Sequence, residues 1–348
     1  MKLFARILFI FASFGVFSSV LCLIGNPRGP AWAALEHKSE RTHDLDFAVI
    51  GDSRAHDEIS PRILSEHLSS KASGHTLKGY NFGVDGTDVL HHFSFATHAL
   101  LEAKTKPKMI IWVPNVLQFD EQRSNNRLEE LQASDIASLW KAGAPLESML
   151  DVVTQVAFRP WAHRPLIAEI ISDYTERAGL RSLAFQSRFM GLRVVPESTG
   201  RRYEPQEDGQ NSFVVIDWKD RFDRSTAIYA NRYQHLHLSE RRFQIARMLA
   251  HEAAANGVVL VMIESPVAPW FQQNLLETKD HLAWRAQMQK IADDEGALFL
   301  NHSRFYDHNE YFGDAGHLDK ATSDDYSVKL AKVLAADPRI EKLLSSQN

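Results

Sequence analysis

Phe47-Ala48-Val49-Ile50-Gly51-Asp52-Ser53-Arg54-Ala55-His56-Asp57 is the stretch that decides how the rest of this chain is read. Four apolar residues run into Gly-Asp-Ser, and a helix-like segment opens a few residues later. A short apolar run ending on a small residue describes a buried parallel strand. A serine just beyond its C-terminal end stands where open α/β sheets gather their ligands. The same letters also suit a strand followed by a helix-capping Asp or Ser. This stretch alone leaves both readings open.

Outward from it, strand and helix signals alternate. Ser60-Pro61 offers an N-cap with proline at the first helical position, and Ile63, Leu64 and Leu68 mark an apolar face. Strands are expected at about 45–50, Leu77–Phe82, Met109–Val113, Val258–Ile263 and Ala297–Leu300. Helices are expected between them at about 88–103, 239–255 and 281–294, with a last one from about 321. This rhythm predicts an α/β domain over 45–335 with a parallel sheet flanked by helices. Residues 120–235 lack it and are expected to form a mostly helical insertion. Residues 25–44 read as a linker and 336–348 as a C-terminal tail.

Lys2 and Arg6 precede an uncharged apolar run from Ile7 to Ile24, so residues 1–24 describe a signal peptide or signal anchor. A run of about 18–20 residues favours an uncleaved transmembrane anchor over cleavage near Ala33. Either way the domain is expected outside the cytoplasm, in a bacterial periplasm or beyond it. The 348 residues are enough for a sizeable core, and 44% hydrophobic with 24% charged residues is ordinary for a globular protein. A net charge of −5 gives no support to nucleic-acid binding. The single cysteine, Cys22, lies in the apolar run, which leaves the folded part no disulfide or cysteine metal site.

The chemistry comes from the far end. In Phe312-Gly313-Asp314-Ala315-Gly316-His317-Leu318, an Asp three residues before a His can turn its carboxylate onto one ring nitrogen. The other nitrogen is then available to take the proton of a serine hydroxyl, which is a weak nucleophile unaided. After the last strand of a parallel sheet, this loop falls at the same edge as Ser53. Oxyanion donors are expected from the Ser53 N–H, from Gly83, where a missing Cβ lets backbone approach a substrate, and from the Asn115 amide. Arg54 could bind an anionic substrate group, although a structural salt bridge is the commoner fate of such an arginine. His235-Leu236-His237 puts two imidazoles on one face without a third ligand at hand, so no metal and no organic cofactor is expected.

With these residues in place the chain resembles the SGNH (GDSL-type) hydrolase superfamily. Gly51-Asp52-Ser53 is similar to its first block, Asn81-Phe82-Gly83-Val84-Asp85-Gly86 to its second, and Asp314-Ala315-Gly316-His317 to its last. The third block departs: Val113-Pro114-Asn115-Val116 keeps only an Asn. More narrowly, the Gly-Asp-Ser-Arg-Ala start, Ser265-Pro266 and the Phe-x-Asp-x-x-His-Leu finish resemble membrane-anchored bacterial relatives such as polysaccharide O-acetylation proteins and the D-alanine transfer protein. The likeness covers about 45–117 and 239–335. It implies a flavodoxin-like sheet, a Ser53–His317–Asp314 triad, and oxyanion donors at Ser53, Gly83 and Asn115. It also implies an esterase or acyltransferase working on an acylated carbohydrate, with a membrane acyltransferase or polysaccharide-assembly partner. A non-catalytic polysaccharide-binding protein and a lipase or thioesterase stay open beside it.

Overall fold

The computed structural model describes residues 30–69, 76–121, 201–205, 208, 211–215 and 218–345. The chain divides into two compact units, Met1–Trp32 with Asn125–Glu197, and Ala33–Ser124 with Ser198–Asn348. Beyond the first turn of one helix, the described residues belong to the second unit. The expected anchor at 1–24 and most of the expected insertion lie outside them. No helix among the described residues is long and apolar enough to cross a membrane.

A helix α1 (Pro30–Ser39) precedes β1 (Phe47–Gly51), α2 (Ser53–Glu58), α3 (Pro61–Ser69) and β2 (Gly79–Asn81). Next come α4 (Val89–Phe95), continued by a π-type segment Ala96–Leu101, then β3 (Met109–Val113) and a 3₁₀ turn Val116–Phe119. A hairpin of β4 (Arg201–Pro205) and β5 (Asn211–Val215) leads to α5 (Trp218–Gln234) and α6 (Glu240–Ala255). The chain closes with β6 (Val259–Glu264), α7 (Pro269–Asn274), α8 (Lys279–Glu295), β7 (Leu298–Asn301), β8 (Phe312–Asp314), β9 (His317–Leu318), α9 (Lys320–Ala336) and α10 (Pro338–Ser345).

Five strands form one parallel sheet in the order β2-β1-β3-β6-β7. In sheet order this is 2-1-3-4-5, the arrangement of a doubly wound sheet whose ligand crevice opens where the chain switches direction, between its first and third strands. The sequence explains the placement. β1 and β3 are buried at every position, as continuous apolar strands covered on both faces must be, whereas the outer β7 is only half-buried. Alternate residues divide between the faces. Phe47, Val49, Ile111, Val113, Val261 and Ile263 pack with Leu64, Leu68, Tyr326, Leu330 and Leu334 in one cluster. Ala48, Ile50, Ile110, Trp112, Leu260 and Met262, also buried, face the other way.

The turn out of β1 is tight. Gly51 has φ +152, and a Cβ there would come within 2.6 Å of the Ala55 Cβ and 3.0 Å of the Val113 carbonyl oxygen. Only glycine suits that corner, and it delivers Ser53 as the first residue of α2. The span expected as a linker holds α1, and the hairpin and α5 within 201–234 belong to the sheet-bearing unit.

Candidate active site

Ser53 starts α2 behind Asp52, whose carboxylate caps the helix by accepting the Arg54 N–H at 3.1 Å. Ser53 Oγ lies 2.8 Å from His317 Nε2, and His317 Nδ1 lies 2.8 Å from Asp314 Oδ1. A carboxylate only accepts, so Nδ1 carries the proton and Nε2 presents its lone pair to the serine O–H. The local fold explains the spacing. β8 and β9 form a two-stranded ladder in which Asp314 pairs with His317 across the two-residue turn Ala315-Gly316. Asp314 Oδ1 also accepts the Gly316 N–H at 2.9 Å.

The helix that Ser53 opens has only six residues, too short to hold itself. Asn81 fastens it: Nδ2 donates to the Ala55 and Ile59 carbonyls at 2.7 and 2.8 Å. Asn81 Oδ1 accepts the Gly83 N–H at 2.8 Å. Gly83, expected from sequence to supply an oxyanion donor, thus bonds Asn81 through its N–H. Its missing Cβ serves another purpose: a Cβ would meet the His56 backbone nitrogen at 2.6 Å, so glycine lets the β2 loop pack against α2. Lys38, from α1, donates to the Asn81 and Gly83 carbonyls at 3.0 and 2.8 Å. Asn115 Oδ1 accepts the Leu117 N–H at 3.1 Å, which fixes its amide, and Nδ2 donates to Asp52 Oδ2 at 2.6 Å. The structure thus ties Asn115 to the cap of α2, and a second Nδ2 hydrogen remains to the amide.

Behind the loop runs a buried chain of bonds. Trp112 Nε1 donates to His92 Nδ1 at 3.0 Å, because an indole can only donate. His92 Nε2 then carries its proton toward Thr87 Oγ1 at 2.9 Å, and Thr87 donates onward to the Val84 carbonyl at 2.6 Å or the Gly51 carbonyl at 3.1 Å. His91 and His92 are both buried.

Arg54 is buried too, with its guanidinium 5.6 Å from the Phe271 ring centre and 6.0 Å from that of Tyr229. Burial works against its charge, but Tyr229, Glu58 and Asp52 outweigh it and hold the cation above its ordinary value. It is an internal charge next to Ser53 in the chain. Glu58 is fully buried, and burial pushes its carboxyl well above the usual carboxylate range against the pull of Arg54; one of its oxygens accepts the Leu318 N–H at 3.4 Å.

His56, Asp57 and Asp85 offer ligand atoms within 4.8 Å of one another. They face the Lys38 ammonium, which burial holds down at about 8 against the pull of Asp85, Asp208 and Asp57. A cation from the chain itself already answers these carboxylates. His235 and His237 stand exposed on either side of buried Leu236.

Sequence reading missed Arg221 on α5, whose Nη2 donates to Asp314 Oδ2 at 2.5 Å. No local pattern links residues 93 apart. The Trp218, Phe222, Ser225, Tyr229 spacing is the one signal that α5 has a face to bury.

No family model matches the chain, and no curated protein matches it. Among solved structures, an alpha/beta hydrolase enzyme from the metagenome of Lake Arreo, Spain, is similar at 11% identity and a TM-score of 0.36, over 87% of this chain and 97% of that one. A likeness that loose carries no argument, and the site rests on its own geometry.

Proposed function

We propose that this chain is an SGNH-type serine acyl-transfer enzyme. We read it as an extracytoplasmic esterase or O-acyltransferase, held by residues 1–24, that acts on acyl groups, acetyl first, of an envelope or exported polysaccharide. The observation that carries the reading is the continuous line Ser53 Oγ–His317 Nε2, His317 Nδ1–Asp314 Oδ1, each step 2.8 Å. Ser53 Oγ attacks the ester carbonyl while His317 Nε2 takes its proton, and Asp314 stabilises the imidazolium that forms. The Ser53 N–H and the second Asn115 Nδ2 hydrogen are the donors for the oxyanion, and losing one such donor costs about 10²–10³ in kcat. His317 returns the proton to the leaving alcohol, and the acyl group stays on Ser53. Water or a sugar hydroxyl, deprotonated by the same imidazole, then accepts it.

The full-length protein, assayed for release of 4-nitrophenol from 4-nitrophenyl acetate beside Ser53→Ala and His317→Ala, tests this. Activity lost in both variants, with melting temperatures held, is the expected result. No activity in folded wild type, or equal activity in the variants, overturns it. One observation favours a non-catalytic polysaccharide-binding reading in that event: the Gly83 N–H already bonds Asn81. Fractionation with mass analysis of the native N-terminus tests the anchor; a chain starting near Ala34 would sink it.

A further inference from the structure

The loop bearing Asp314 and His317 lies along one face of α5, and successive turns of that helix grip successive residues of the loop. Trp218 Nε1 donates to the Phe312 carbonyl at 2.6 Å. Arg221 Nη2 donates to Asp314 Oδ2 at 2.5 Å. Ser225 Oγ accepts the Ala315 N–H at 2.9 Å. The Tyr229 phenol covers Gly316 so closely that a Cβ there would overlap it. Residues spaced three or four apart share a helix face, so one stripe of α5 reads the turn from strand to strand. The Arg221–Asp314 pair is the charged member of this seam, with side chains only 10% and 6% exposed.

We propose that Arg221 is the positioning residue of the Asp314–His317 pair: it holds Oδ2, leaves Oδ1 to face the imidazole, and offsets the pull of the carboxylate on the imidazolium. The assignment rests on the reading of His317 as the proton carrier. Two effects follow from simple chemistry. Arg221 Nη2 occupies Asp314 Oδ2 with a charge-assisted bond, which keeps the carboxylate from turning and leaves Oδ1 on His317 Nδ1. Its charge also counts against a second cation nearby, so His317 stays neutral to lower pH than it would beside an unanswered carboxylate.

Other charged and titratable groups face the loop. They are Asp52, Arg54 and Glu58 from α2 and its cap, Tyr229 from α5, Tyr306 against Phe312, and Asp319 after β9. None of them changes when Arg221 alone is replaced, so a shift in the titration of His317 reports on Arg221.

The test is an NMR titration of the full-length protein with histidines labelled at Cε1, the His317 signal being assigned with His317→Gln. Arg221→Gln is expected to raise the His317 midpoint by about one pH unit. Arg221→Lys keeps the charge and loses the Nη2 bond at its present geometry. It is expected to hold the midpoint within a few tenths of a unit, while the downfield Nδ1–H resonance of the Asp314 bond weakens. An unmoved midpoint in Arg221→Gln overturns the proposal even if the melting temperature falls, and so does a shift in Arg221→Lys as large as in Arg221→Gln. Should Arg221→Gln not fold, a wild-type Nδ1–H resonance in Arg221→Lys overturns it. The titration needs no turnover. A wild type that hydrolyses no ester sinks the enzyme reading and leaves this result standing by itself.

Discussion

Replacing Asn115 by Asp puts two carboxylates where a short bond now lies. Asn115 Nδ2 donates to Asp52 Oδ2 at 2.6 Å, and both residues are buried. Two negative charges at that distance repel by about 6 kcal/mol at an effective dielectric near 20. Protonating one of them at pH 7 costs about 4 kcal/mol, from about 1.4 kcal/mol for each unit above a carboxyl pKa near 3.9. Protonation is the cheaper escape, and it restores a donor: the new O–H can bond Asp52 while the other oxygen still accepts the Leu117 N–H. Asn115→Asp should therefore lose about 4 kcal/mol at pH 7 and only about 1.5 kcal/mol at pH 5. Asn115→Ala loses the bond without adding charge, so its penalty of about 1–2 kcal/mol should not move with pH. Urea unfolding of the three proteins at both pH values measures this. A penalty for Asn115→Asp that is equal at pH 5 and pH 7 would refute the reasoning.

Gly83→Ala forces its Cβ against the His56 backbone, where no side chain can swing away. It should cost about 1–3 kcal/mol and, by displacing α2, lower esterase turnover more than stability; unchanged turnover counts against it. Trp112→Phe removes the indole donor to His92 and should destabilise by about 2–3 kcal/mol in denaturant, whereas a loss below about 0.5 kcal/mol would exclude that bond. Acid stability has two limbs. Burial holds the His302 imidazole down at about 4, so the folded state refuses a proton that the unfolded chain takes near 6.5. Stability from this group is full above about 6.5 and falls by about 3 kcal/mol as pH drops toward 4. Burial also opposes the Glu264 carboxylate, but Arg285 and His281 outweigh it and hold it at about 2, so its contribution is full above about 4.5 and lost below. Burial also lowers the His56 and His281 imidazoles, so His302→Gln should reduce the slope of the first limb without abolishing it and leave the second; an unaltered slope between pH 6.5 and 4.5 would show that His302 is not responsible.

What could be read from the sequence follows from how local each signal is. β1, β3 and β6 announce themselves because strands buried on both faces are continuous apolar runs. The Asp314-x-x-His317 spacing is legible because carboxylate and imidazole meet across a single two-residue turn. Gly83 is read from sequence for its missing Cβ, and a missing Cβ serves close approach to any neighbour; the one the structure shows is the α2 backbone. Asn81 reads as part of a motif, yet its three bonds to Ala55, Ile59 and Gly83 depend on where α2 ends. Arg221 is invisible because nothing within α5 says which carboxylate lies across from it. The helix Pro30–Ser39 was hidden by the charged run at its end and by the proline at its start, which is itself a good first helical residue.

Ser53 and His317 are 264 residues apart. The two halves of the site are therefore made far apart in synthesis. A growing or truncated chain that stops before Asp314 can hold a capped serine at the end of β1 but has no base to activate it. Closing so long a loop is slow, since its entropy must be overcome before any contact rewards it. Assembly of the pair is thus gated by the later segment: a fragment folds, at best, into a sheet without its histidine, and the Ser53–His317 contact forms only once β8 and β9 have come home against α2.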